Sequence, residues 1–105
     1  MANWSTKTIK IDWDFSPTKD MVNWLYTKSY SDLRAEKIMM NYTRHGIHLE
    51  IILPHKISFW RSIELRSLFH DDPKRIVFDI LRHRAGAKMI DALWDKKTKI
   101  KQKVS

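Results

Sequence analysis

The sequence predicts an α+β domain in which an antiparallel sheet carries two helices on one face. Three observations predict it. In Thr8 to Phe15, Ile9, Ile11, Trp13 and Phe15 alternate with Lys10, Asp12 and Asp14, the period-two pattern of a strand with one buried face. At mid-chain, two apolar runs flank Thr43-Arg44-His45-Gly46, and in the second of them Ile47, Leu49, Ile51 and Leu53 alternate with His48 and Glu50, as in a β-hairpin. Between and after these strands, Met21, Val22, Trp24 and Leu25, then Phe59, Trp60, Ile63, Leu68 and Phe69, recur at helical spacing.

The elements follow in order. The first strand ends at Ser16-Pro17, an N-cap with proline at the first helical position, and that helix stops before Tyr30-Ser31-Asp32. A loop through Leu33-Arg34-Ala35 leads to a strand from Glu36 to Tyr42. Gly46, one of two glycines in 105 residues, is placed at the turn for its tolerance of positive φ, and Pro54 closes the next strand because it has no N–H for the ladder. Ser58 caps the second helix, with Arg61, Glu64 and Arg66 on its outer face and Trp60 among its core anchors. Asp71-Asp72-Pro73 breaks it. In the run from Lys74 to Leu81, Ile76, Phe78 and Ile80 alternate as a strand, while Ile76, Val77 and Ile80 also suit a helix begun at Pro73; the β-branched and aromatic content favours the strand. Met89 to Trp94 is a short last element of open type. The buried set expected from this reading is Ile9, Ile11, Trp13, Trp24, Leu49, Ile51, Trp60 and Ile63.

Composition narrows the class. A length of 105 residues, 43% of them hydrophobic and 30% charged, fits one globular domain, expected over residues 1–95 with a basic flexible tail over 96–105. No apolar run reaches bilayer length and the first residues lack a signal-peptide core, so the expectation is a cytoplasmic protein with no membrane partner. With no cysteine, metal ligands are limited to His and carboxylate oxygen, and hard oxygen ligands favour magnesium or manganese. The formal net charge is +8, of which Lys96, Lys97, Lys99, Lys101 and Lys103 supply five. Such an arm attracts polyanions without reading sequence, so DNA or RNA is the expected partner, with Arg44, Lys74, Arg75, Arg82, Arg84, Lys96, Lys97 and Lys99 as contacts.

The element order β-α-β-β-α-β is that of the split β-α-β, ferredoxin-like and RRM-like arrangement. Its first and third strands are neighbours. If both turn their apolar alternation to the helices, Asp12, Asp14, His48 and Glu50 share the open face, and Asp79 on a fourth strand joins them.

Three pieces in this order, Ile11-Asp12-Trp13-Asp14-Phe15, Thr43 to Ile51 and Arg75 to Arg82, resemble the three motifs of the archaeo-eukaryotic primase superfamily, most closely the polymerase domain of bacterial DNA ligase D. The resemblance covers Ile9 to about Gly86. It implies that Asp12, Asp14 and Asp79 hold two divalent ions, magnesium or manganese, and that Gly46 and His48 match the second motif, with His48 meeting the phosphates of an incoming nucleotide. On this reading the chain is a minimal primase or polymerase palm acting in replication, such as a virus or plasmid encodes, with a partner subunit or a second copy supplying the rest. The turn ahead of the histidine, Tyr42-Thr43-Arg44-His45, stands in place of the family's serine- and glycine-rich turn, no clear equivalent of the family's basic nucleotide-binding residue after the third motif appears near Leu93-Trp94, and typical members are about twice as long or more. A non-catalytic nucleic-acid-binding module on the same fold therefore stands beside the catalytic reading. A rolling-circle nuclease stands further off, because His45 and His48 are one residue too far apart for its His-hydrophobe-His pair and no tyrosine follows Tyr42. A classical RNA-recognition module lacks its stacking aromatics on the open faces of these strands.

Overall fold

A computed structural model describes residues 4–86 and Ile90. In chain order it contains β1 (Ser5–Trp13), α1 (Lys19–Thr27) continued by a π-helical turn (Lys28–Asp32), β2 (Lys37–Tyr42), β3 (Ile47–Ser58), α2 (Phe59–Leu68) and α3 (Pro73–Arg84). The sheet has three strands in the order β1-β3-β2, with both pairings antiparallel. The first strand and the second hairpin strand are thus neighbours, as the sequence pattern requires.

One sheet face holds the core. Ile9, Ile11 and Trp13 of β1 lie opposite Ile51, Leu49 and Ile47 of β3 and are fully buried, and Leu25 of α1 with Leu65 of α2 and Phe69 close over them. The indole N–H of Trp13 donates to the Phe69 carbonyl at 2.8 Å, so its one polar group is satisfied inside the core. Trp24 is partly buried on the same core, edge-on to Phe69. Ile63 is half-buried, and Trp60 is 50% exposed, so neither is the buried anchor expected. Phe59 takes that place: it is 2% exposed and stacks on His83 of α3 with 3.9 Å between ring centroids.

Several boundaries differ from the sequence reading. The α1 N-cap is Thr18, whose hydroxyl accepts from the Met21 N–H; Ser16 and Pro17 stand ahead of it. Ser58 caps α2 as expected, accepting from the Arg61 N–H. Pro54 does not end β3. It falls in the stretch between the pairs Thr8–Ile52 and Thr6–Ile57, where the register jumps and no ladder bond is asked of it. Gly46 does not need a positive φ, which among glycines belongs to Gly86. Its requirement is space, because a Cβ there would lie 1.8 Å from the Trp13 carbonyl oxygen.

The largest difference is the fourth strand. Residues Pro73–Arg84 form α3, with Asp72 as N-cap accepting from the Lys74 N–H and Pro73 in the first turn. Asp72-Pro73 thus starts a helix and does not stop one: α2 has already ended at Leu68, with Phe69 as its C-cap and His70 at φ 62°. Among the described residues the sheet therefore stays three-stranded, and the ferredoxin-like arrangement is not completed. Met89 and residues 91–94 of the expected last element, like the lysine tail, lie outside the described residues.

Candidate functional site

The open sheet face carries three cross-strand rows: Thr8–Ile52–Lys37, Lys10–Glu50–Met39 and Asp12–His48–Asn41. In the last row His48 is 7% exposed and its Nε2 lies 3.5 Å from Asp12 Oδ1. Burial pushes the Asp12 carboxyl above its ordinary value; His48 and Arg75 pull it back, and Asp71 and Asp72 add to the rise. The predicted convergence of Asp12, His48 and Glu50 on one face is present. Asp14 is not part of it, since β1 ends at Trp13 and Asp14 is exposed beyond it.

Asp79 is elsewhere. It sits on α3, 1% exposed, with Oδ2 2.9 Å from Arg66 Nη1 and Oδ1 3.0 Å from Arg82 Nη1. Both of its oxygens are thus engaged by guanidinium groups. Among the described residues no cluster of three or more His, Asp or Glu side chains can hold a metal ion. The donor set implied by the resemblance does not fit two divalent ions: one acid is paired to arginines on a helix and another lies past the strand end.

Sequence reasoning missed the acid with the most hydrogen bonds among the described residues. Asp71, 3% exposed, accepts from the Asp12 and Asp72 N–H groups at 2.7 and 2.8 Å, from Arg66 Nε at 2.7 Å and from Arg75 Nη1 at 2.7 Å. Arg75 Nη1 also donates to the Lys10 carbonyl at 3.2 Å. The outward N–H of Asp12 and C=O of Lys10 are therefore met by a carboxylate and a guanidinium, which close the free edge of β1 as another strand would. Arg66, 1% exposed, lies inside rather than on the outer face of α2, and ties Asp71 to Asp79. The available signal was Arg75 one helical turn after Asp71, the spacing of an intrahelical ion pair carried across the helix start.

Of the expected nucleic-acid contacts, Arg44, Lys74 and Arg84 are exposed. Arg75 is built into the β1 edge, and Arg82 leans on Asp79 with about half of its side chain exposed. Lys96, Lys97 and Lys99 lie outside the described residues. Arg44 opens onto a cleft of about 590 Å³ between the β2–β3 turn and the start of α1. Its lining includes Lys19, Arg44, His45, Ser16, Thr43 and Tyr42, and no carboxylate. The turn is held by the Thr43 N–H donating to the Gly46 carbonyl and by the Thr43 hydroxyl accepting from the Gly46 N–H. Packing Gly46 against Trp13 then fixes the turn beside the α1 start. A fixed concave surface with two permanent cations and an imidazole suits an anion such as phosphate.

Neither a known protein family, nor a curated protein, nor a solved structure matches this chain. No helix among the described residues is long and apolar enough to cross a membrane.

Proposed function

We propose that this protein binds nucleic acid through the cleft at the β2–β3 turn, as a non-catalytic module rather than as a metal-dependent primase or polymerase palm. The observation that carries the reading is the lining of that cleft, with Lys19, Arg44 and His45 and no acid. Backbone phosphates are the ligand chemistry such a lining favours, and Lys74, Arg84 and the lysines beyond Asp95 extend the attraction without sequence preference. Against the catalytic reading stands Asp79, whose two oxygens answer Arg66 and Arg82. Asp12 and His48 then stand as a local polar pair on the sheet face.

The test is an anisotropy titration with a labelled single-stranded oligonucleotide over a range of salt. Affinity should fall as salt rises, and Lys19→Ala with Arg44→Ala should reduce the magnitude of the log–log slope by about 1.4, two phosphate contacts at about 0.7 each on a single strand. Absence of binding at low salt, or a double variant that binds like wild type, would overturn the cleft as the site. Primer extension that depends on Asp12 and Asp79 would restore the catalytic reading.

A further inference from the structure

The two outer strands of the sheet are treated differently. The β1 edge is closed by Asp71 and Arg75, whereas among the described residues no element pairs with the outer edge of β2. The Thr43 N–H bond to the Gly46 carbonyl sets the alternation of the hairpin ladder, so Asn41 and Met39 exchange bonds with β3 while the main-chain groups of Ile38, Met40 and Tyr42 turn outward. Among the described residues no hydrogen bond from outside the sheet reaches those three. The strand has little of the usual protection: no proline, no register shift against β3, and one charge, Lys37 at its start.

We propose that β2 pairs antiparallel with β2 of a second copy of this chain, about a two-fold axis through Met40, joining two three-stranded sheets into one of six strands. The outward groups allow H-bonded pairing only between even-numbered residues, and three axes pair at least two of Ile38, Met40 and Tyr42 with one another. An axis through Met39 sets Tyr42 opposite Glu36, and one through Asn41 sets Ile38 opposite Arg44. The Met40 axis sets Met40 against Met40 and Ile38 against Tyr42, and places Met39 opposite Asn41. Ile38, Met40 and Tyr42 lie on the core face, level with Ile51, Leu49 and Ile47. The apolar rows of one sheet therefore continue into the next, and an aromatic meets a β-branched residue across the new pair. Tyr42, at 76% the most exposed of the large apolar residues among those described, gains a cover. Just past the strand ends, one residue before Lys37 and two after Tyr42, the same register brings exposed Glu36 of one copy toward exposed Arg44 of the other, so charge agrees with shape. A symmetric, self-complementary edge of this kind takes a second copy in preference to an unrelated strand.

The chain has no cysteine, so the register can be read directly. Full-length Met39→Cys and Asn41→Cys variants, mixed under mild oxidation without nucleic acid, should give a disulfide-linked dimer several-fold faster than either variant alone, because non-hydrogen-bonded antiparallel pairs bring Cβ atoms closest. Sedimentation of wild type should show a concentration-dependent dimer, and Met40→Pro should remain folded by circular dichroism yet monomeric, since its N–H serves no bond within the protomer. Met40→Lys, which sets two cations at the axis, should do the same if the proline variant does not fold. Equal cross-linking in the mixture and in one variant alone, or a folded Met40→Lys that dimerises like wild type, would overturn the proposal.

Discussion

Replacing Asp71 by alanine removes the acceptor of two main-chain N–H groups and two guanidinium groups at once. Arg66 is 1% exposed and would keep only Asp79, so a buried cation loses half of its compensation while the Asp12 N–H and the edge of β1 are uncovered. Breaking a buried pair from one side costs about 3–5 kcal/mol. For a domain of this size each kcal/mol moves Tm by about 4–8 °C, so a fall of at least ~12 °C is expected in a thermal scan followed by circular dichroism. Asp71→Asn, which keeps an acceptor oxygen and loses the charge, should fall between wild type and Asp71→Ala. Arg66→Met should cost much less in the Asp71→Ala background than in wild type, because both remove the same contact. A loss under ~1 kcal/mol for Asp71→Ala, or additive costs in that cycle, would refute the edge-closing role.

Three further outcomes follow from the same coordinates. Gly46→Ala should destabilise by ~3 kcal/mol or more, at the top of the range for overpacking, because the obstacle is the Trp13 main chain and not a movable side chain; denaturant unfolding measures this. Val77→Ala should raise stability by about 0.5 kcal/mol, since Val77 is exposed on a helix, whereas on a strand the same change would lower it. Asp12 holds its proton to higher pH when folded than when unfolded, so above the ordinary carboxyl range its ionisation opposes folding. Asp12→Asn should therefore flatten the decline in stability as pH rises through the interval just above 3.8, read from Tm against pH.

The strands were legible because alternation is a local property: Ile9, Ile11 and Trp13, and Ile47, Leu49 and Ile51, declare a face without reference to the rest of the chain. That alternation also put Asp12, His48 and Glu50 on one face, the part of the candidate site that the pattern did reveal; the register that sets Asp12 opposite His48 is not a property of alternation. The run from Ile76 to Leu81 was illegible for the opposite reason. Six residues with apolar groups at several phases satisfy both periods, and the N-cap geometry of Asp72 with Pro73 decides between them. The inward place of Arg66 depends on acids five and thirteen positions later, a relation that no window of periodicity contains.

The relocation of Asp79 changes what the basic composition means. Asp71 and Asp79 are both buried, and together they engage Arg66, Arg75 and Arg82. Part of the positive charge counted from composition is thus spent inside the protein, holding α2, α3 and the edge of β1 together, and is not available to a polyanion. Among the described residues, exposed cations remain at the turn cleft and at Lys74 and Arg84 on α3, among other places. Substituting an interior arginine should therefore weaken nucleic-acid binding only to the extent that it unfolds the protein. Arg44 should affect binding with the fold intact, because it is exposed and none of the internal ion pairs uses it. Measuring affinity and Tm side by side for Arg66→Met and Arg44→Ala separates the two roles. Loss of binding in Arg66→Met at a temperature where it is fully folded would mean that the interior network shapes the cleft directly.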